Sequence, residues 1–380
     1  MRKAVVILPT YNEAKNISKL VDEILLVSNS IKNWEIHILV VDSNSPDNTG
    51  KILDKLYNSD RQKYANLHIL HTQKEGLGKA YLEGFQKAIS DLKPYVLFEM
   101  DADFSHDPKT IPQFLEEIEH GADFVIGSRY RKNGSIPKDW AWTRKLYSVL
   151  GNWIIRIGFM RLNITEWTNG FRAIKSWIVV KALDHVNNYN GYVFQVAMLD
   201  FAVNNKAIIK EIPIHFKDRE QGYSKINSTQ YIVQTLLYVL SHSSFIKFCT
   251  VGALGFIVDF GLASLFISIF NFPKVLANIY SAELAIISNF FLNNFWSFGS
   301  KKIIGITKTI GNLIYFNLIS LGSLIIQGTG LWLALKFIGD HTVELGRIEL
   351  HSWVLYKIIL IIFIIIPYSY VFYTKFIWKK

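Results

Sequence analysis

Two aspartates, Asp101 and Asp103, follow a run of mostly apolar residues at 95–100 of the 380-residue chain. Two carboxylates at that spacing can hold a hard cation such as Mg2+ or Mn2+ and leave coordination positions open for phosphate oxygens. A strand's period of two places both side chains on one side of the chain. Of the ten histidines, only His106 stands beside this pair, and none shows metal-ligand spacing. The stretch Gly76-Leu77-Gly78-Lys79 is an incomplete phosphate loop: Gln73 occupies the first glycine position and no Ser or Thr follows Lys79. Its glycines are better suited to letting a helix start close to a ligand.

The elements that must position these groups are legible as alternating runs. Apolar stretches at 4–8, 36–41, 67–70, 95–100 and 124–126 read as buried strands, and helical patterns such as 14–26 and 80–89 fill the gaps. This alternation predicts a mostly parallel sheet with covered faces. In such sheets ligands bind beyond the carboxyl ends of the strands. The informative residues are therefore those after each run: Pro9 to Glu13, Asp42 to Ser45, and Asp101 to Asp103.

Composition divides the chain. There are 41 Lys and Arg and 31 Asp and Glu against a 50% hydrophobic fraction, and only 15 of those charges fall in the last 133 residues. The first 247 residues have the composition of a soluble domain; the remainder does not. Four stretches there are long and apolar enough to cross about 30 Å of hydrocarbon. Lys301, Lys302 and Lys308 after the second span, with Lys375, Lys379 and Lys380 at the end, place both termini and the first domain in the cytoplasm by the positive-inside rule. Residues 226–246 are uncharged but too polar in their first half for hydrocarbon, so they read as an amphipathic interfacial helix. Residues 147–159 suit either a second such helix or a core helix. Asp259 and Glu283 lie inside spans and should face the bundle interior. Glu283 could pair with Lys357, or Lys357 could snorkel to the surface.

A single cysteine, Cys249, excludes an intrachain disulfide. The apolar run ended by Pro9 is too short for a secretory signal. The net charge of +10 is split evenly between the two parts, so no arm points to nucleic acid; a basic surface facing phosphate or anionic lipid is the simpler reading.

Several motifs, in order along about 220 residues, resemble the glycosyltransferase family 2 catalytic domain, and most closely its dolichol-phosphate and polyprenol-phosphate mannose synthases. They are Pro9 to Glu13, Val41-Asp42, Gly76 to Gly78, Asp101 to His106, Gly127 to Tyr130, Asn169 to Arg172, and Glu211 to Pro213 continuing to Arg219, Gly222, Ser224 and Lys225. The membrane half is similar to a GtrA-type four-helix domain through Phe248 to Gly252 and Asn289 to Asn293. The resemblance implies an α/β, GT-A type nucleotide-sugar-binding domain, Rossmann-like, at 1–225. It further implies a linking interfacial helix at 226–244 and an all-α transmembrane domain at 245–380.

It also implies roles. Pro9, Tyr11, Glu13, Val41 and Asp42 would hold the base and ribose of a nucleotide sugar. Asp101, Asp103 and Ser105 would hold the metal and diphosphate. Arg129, Arg144, Arg219 and Lys225 would meet donor or acceptor phosphates, where positive forks suit oxyanions. Three positions depart from the family pattern: Ser43 replaces a frequent Asp, Glu166 and Asn169 replace an Asp and a Ser, and Gln195-Val196-Ala197 lacks a Glu. The expected reaction is transfer of mannose from GDP-mannose to dolichyl or polyprenyl phosphate at the cell membrane. A lipid monophosphate is already largely dianionic near neutrality, so one inverting displacement needs neither a general base nor a side-chain nucleophile. Residues 217–225 are the expected closing loop. UDP-glucose as donor, or a non-catalytic transporter or scaffold, are the alternatives. Processive polysaccharide synthases carry a Gln-x-x-Arg-Trp motif that is absent here.

Overall fold

The computed structural model describes residues 1–189, 191–218, 228–345 and 348–379. The chain forms two compact units, residues 1–239 and 240–380.

The first unit is built on a seven-stranded sheet. Its strands are β1 (Arg2–Thr10), β2 (Trp34–Asp42), β3 (Leu67–His71), β4 (Val96–Glu99), β5 (Phe124–Ser128), β6 (Arg172–Lys175) and β7 (Ile209–Pro213). Their order is β3-β2-β1-β4-β6-β5-β7. All neighbours are parallel except β6, which runs antiparallel to β4 and β5. Ala4 to Leu8 are fully buried, as expected of a central strand covered on both faces. Helices α1 (Ile17–Ser28), α2 (Thr49–Ser59), α3 (Leu77–Asp91), α4 (Ile111–Glu119), α5 (Trp142–Gly158), α6 (Ser176–Val186) and α7 (Val193–Asn204) intervene between or follow the strands. Apolar residues of α1, α2 and α4 share one core with β1, β2 and β4. Gly76 caps α3 with φ of 107°, a conformation that favours glycine, and the helix starts at Leu77, three residues before the 80–89 pattern.

Sequence reading located five of the seven strands. It missed β6, whose four residues include Arg172 and Lys175, and β7, which carries Lys210 and Glu211. It also ran β4 too far. The strand ends at Glu99, and residues 102–106 bend, with Phe104 at φ of 64°. The two aspartates therefore owe their placement to a bend, not to strand alternation.

α5 is not a core helix. It buries only Asn152, Ile155 and Gly158, while Trp142, Leu146, Tyr147, Leu150, Trp153 and Ile157 are exposed. The next helix, α8, spans Ser228–His242.

In the second unit four helices are long and apolar enough to cross a membrane: α9 (Ser244–Ser268), α10 (Lys274–Ser297), α11 (Ile306–Phe337) and α12 (Ser352–Ile377). The last five residues of α10, Asn293–Ser297, form a π-helical turn. A two-stranded hairpin, β8 (Thr342–Leu345) and β9 (Ile348–His351), lies between α11 and α12. Asp259 faces α10, where Ser281 donates to its Oδ1 at 2.5 Å. Glu283 is exposed and accepts from Asn317 of α11 at 3.4 Å; the expected partner Lys357 makes no ion pair with it. Gly255 of α9 lies against the Asn289 amide, which occupies the place a Cβ would need.

Candidate active site

The parallel register brings the carboxyl ends of β1, β2, β4 and β5 to one edge of the sheet. The antiparallel β6 begins at that edge, because Arg172 pairs with both Glu99 and Ile126. The topology thus gathers the loops after β1, β2, β4 and β5 with the turn before β6.

At the β1 and β2 end, Pro9 pairs with Val41 and Thr10 with Asp42. Asp42 is nearly buried and already engaged: its Oδ1 accepts from Ser45 Oγ at 2.5 Å and from Thr10 Oγ1 at 3.3 Å. Glu13 donates its backbone N–H to Thr49 Oγ1 at 3.0 Å and accepts from Asn16 at 3.0 Å. Asp47 ties this pair of loops, accepting from Ala14 N at 3.0 Å and from Thr49 Oγ1 at 2.5 Å. Three asparagines, Asn12, Asn44 and Asn48, take the left-handed turns that the loops need. Lys74 sits 3.8 Å over the Tyr11 ring, a cation where a base could otherwise stack. The two loops bring together Pro9, Tyr11, Glu13, Val41, Asp42 and Ser45, which the sequence singled out beyond the strand runs, with Asp47, Thr49 and Lys74, which it did not.

Beyond β4, Asp101 is about one-third exposed (36%), whereas Asp103 is nearly buried. Ser105 holds Asp103 Oδ1 twice, through Oγ at 2.6 Å and through its N–H at 3.1 Å. Glu99, two residues earlier, is fully buried; burial pushes its carboxyl up to about 7 against the pull of the Arg172 charge. Among the described residues no group of three or more His, Cys, Asp or Glu side chains has metal-binding geometry. The carboxylate pair with Ser105 therefore offers only oxygen donors and few of them. That suits Mg2+ or Mn2+, which take most of their ligands from phosphates and water.

At the end of β5, Arg129 is clamped. Its Nε lies 2.8 Å from Glu166 Oε2 and one Nη lies 2.9 Å from Oε1, a two-point pair with only 9% of the Arg129 side chain and none of Glu166 exposed. Burial alone would push the Glu166 carboxyl up, but the Arg129 charge and the hydrogen bonds from Arg129 and Thr168 hold it below its ordinary value. Glu211 of β7 fixes the same turn, accepting from Thr165 N at 2.9 Å, Thr165 Oγ1 at 2.9 Å and Glu166 N at 2.8 Å. A further ion pair joins Arg144 to Asp218 at 3.2 Å, and Arg144 stacks 3.8 Å over Trp140, whose indole donates to the same carboxylate at 2.8 Å. Lys217 N donates to Ser105 O at 3.4 Å, so the chain after β7 passes the aspartate loop. Arg219, Gly222, Ser224 and Lys225 lie outside the described residues.

The structure thus assembles Asp101, Asp103, Ser105 and Arg129 at one sheet edge beside the β1 and β2 loops. The fixed partners Glu166, Asn169 and Glu211 were visible in sequence only as departures or motif members without a role.

Residues 5–186 match glycosyl transferase family 2, and residues 247–378 match the GtrA/DPMS transmembrane domain. A dolichol-phosphate mannosyltransferase of Pyrococcus furiosus is 31% identical over 346 residues, covering 89% of this chain and 92% of that protein. A polyprenol monophosphomannose synthase of Mycolicibacterium smegmatis is 36% identical over 60% of this chain and 82% of its own length. An undecaprenyl-phosphate mannosyltransferase of Micrococcus luteus is 37% identical over 59% and 88%. With a family 2 match over the sheet and a similar protein spanning both units, the chain belongs to glycosyl transferase family 2, joined here to a GtrA/DPMS transmembrane domain.

Proposed function

We propose that this protein transfers mannose from GDP-mannose to the phosphate of a polyprenyl or dolichyl carrier, in a single inverting displacement dependent on Mg2+ or Mn2+. The observation that carries the reaction class is the meeting of a carboxylate loop and a clamped arginine at one sheet edge. The names of the relatives supply the sugar and the lipid.

Asp101 and Asp103 would hold the divalent cation, which when bound supplies positive charge to the departing diphosphate. Ser105 keeps one oxygen of Asp103 in place. Arg129 has Nε and one Nη fixed on Glu166, leaving its other Nη without a hydrogen bond among the described residues. That group serves an acceptor or donor phosphate, with Arg144, Arg219 and Lys225 as further phosphate contacts. An oxygen of the lipid phosphate attacks the anomeric carbon as the bond to the diphosphate oxygen breaks. The phosphate arrives deprotonated, so no residue has to remove a proton, and positioning with charge stabilisation accounts for the catalysis. Pro9, Tyr11, Glu13, Val41 and Asp42 form the base and ribose side.

The protein is a multi-pass membrane protein. Its catalytic unit and termini face the cytoplasm on this reading, supported by the lysines after the second span and at the C-terminus. The exposed apolar face of α5, bearing Trp142, Tyr147 and Trp153, supports contact with the bilayer interface, where the acceptor's tail is dissolved.

Membranes containing the protein, incubated with labelled GDP-mannose or UDP-glucose, polyprenyl phosphate and Mn2+, test this directly. A mannolipid formed from GDP-mannose is expected, and none in excess chelator. A glycolipid from UDP-glucose alone would reassign the sugar, and no glycolipid from either donor would refute the transferase reaction.

A further inference from the structure

The aspartate loop and the Arg129 clamp are joined by a run of buried hydrogen bonds, and its donors can be assigned without ambiguity. Asn169 Nδ2 lies 2.5 Å from Gly127 O, a carbonyl that can only accept. The Asn169 amide therefore turns Oδ1 toward His106 Nε2, 3.0 Å away, and that nitrogen must carry the proton. His106 Nδ1 is then a lone-pair acceptor, which matches the Asp101 backbone N–H donating to it at 3.1 Å. At the other end, Asn169 N–H donates to Glu166 Oε1 at 3.2 Å, and Glu166 holds Arg129.

The His106 ring is 1% exposed and is stacked on Phe171 with centroids 4.9 Å apart. With one nitrogen accepting a backbone N–H and the other protonated, it has no lone pair left for a cation. Asn169 is 3% exposed. The serine that the family resemblance leads one to expect at 169 has a single, shorter polar atom in place of the two separate ends with which Asn169 meets His106 and Gly127.

We propose that His106 and Asn169 are positioning residues that lock the Asp101 backbone and the Arg129 clamp into one register, so that the metal and diphosphate site and the phosphate-binding arginine are set together. This rests on the reaction proposed above. Neither residue touches substrate on this view; each acts through Asp101 or Glu166.

The test uses the full-length protein in lipid nanodiscs, with Mn2+ binding in the presence of GDP read by electron paramagnetic resonance, KM for polyprenyl phosphate and kcat by transfer, and melting temperature. Asn169→Ala should weaken Mn2+ binding and raise the acceptor KM, each by about tenfold, the scale of one buried hydrogen bond. His106→Asn keeps an acceptor for the Asp101 N–H but cannot reach Asn169, so it cuts the same link and should weaken Mn2+ binding and raise the acceptor KM as Asn169→Ala does. The double variant His106→Asn with Asn169→Ala should be no worse than Asn169→Ala alone, since the two act as a unit. A lower melting temperature in Asn169→Ala with Mn2+ affinity unchanged would reduce the pair to packing and overturn the proposal, as would a wild type that binds no Mn2+ with GDP. If the wild type binds Mn2+ but transfers no sugar, the reaction fails while the Mn2+ arm still decides the coupling between Asn169 and Asp101.

Discussion

In the catalytic unit, buried polar side chains reach across the sequence to one another; in the membrane unit, several polar side chains on exposed helix faces turn back onto their own helix, while others cross between helices, as Ser281 does to Asp259 and Trp378 to Asn294. His106 and Asn169 are 63 residues apart, Arg129 and Glu166 are 37 apart, and Thr165 and Glu211 are 46 apart. By contrast Thr250 and Thr309 each donate to the carbonyl four residues earlier in the same helix, and Asn312 does likewise. Buried polar atoms without a hydrogen-bond partner among the described residues occur in both units, at Tyr81 and Gln195 in the first and at Asn289, Asn293 and Ser297 in the second. The membrane helices approach closely at small residues, with Gly255 against Asn289, Gly322 against Tyr368 and Gly330 against Leu360. Long-range polar bonds fix atoms to within fractions of an ångström, which chemistry needs. Helix packing at glycines fixes only which faces meet, which suffices for a bundle in lipid.

If that contrast is right, the largest effect of any single change lies in the carboxylate loop. Asp103→Ala should lower kcat by about 10³-fold, the scale of losing a group that stabilises transition-state charge, and should leave the melting temperature within a few degrees. Retained activity would remove the metal assignment. Next comes the clamp. Glu166→Gln removes one partner of a buried ion pair and should cost about 3–5 kcal/mol in thermal or denaturant unfolding.

The same substitution carries a pH signature. The Glu166 carboxyl sits below its ordinary 4.5 in the folded protein, so its stabilisation is fully present above that value and is lost as pH falls through the lowered one. Melting curves from pH 6 downward should therefore be steeper for the wild type than for Glu166→Gln. Parallel curves would deny the pair its role.

Third in size is the membrane unit's close contact. Gly255→Ala inserts a methyl against the Asn289 amide and should cost about 1–3 kcal/mol, read as a lower melting temperature of the purified protein. Smallest is Thr250→Ala, whose hydroxyl only bonds its own helix; a change within about 0.5 kcal/mol is expected. A Thr250→Ala loss as large as that of Glu166→Gln would erase the distinction between the two units.

Much of the fold could be read from the chain because the central strands are continuous apolar runs, as 4–8 and 36–41 are. Of the strands that escaped, β7 alternates charged with apolar residues over only five positions, and β6 carries Arg172 inward for a tertiary reason. Arg172 is fully buried because three carbonyls, of Trp167, Asn169 and Gln195, receive its donors, and no periodicity announces that. The site divides the same way. Asp101 and Asp103 advertise themselves by type and spacing. Glu166, Asn169 and Asp47 act through partners far away in sequence, so their importance emerges only once the sheet has brought those partners together. His106 was conspicuous for its place beside the carboxylates, yet only its two hydrogen bonds show why it is not a metal ligand.

The position of β7 has a consequence in time. Glu211 reaches the Thr165 turn only after β7 has joined β5, so the turn that carries Glu166 gains its last support only once residue 211 has been synthesised. The first span begins at Ser244. With translation running from the N-terminus at about 5–20 residues per second, the whole sheet is available before the first hydrophobic helix is complete. Folding of the catalytic unit therefore need not wait for insertion. A mutation that slows insertion would be expected to leave a folded, clamped catalytic unit on an unanchored chain rather than an unfolded one.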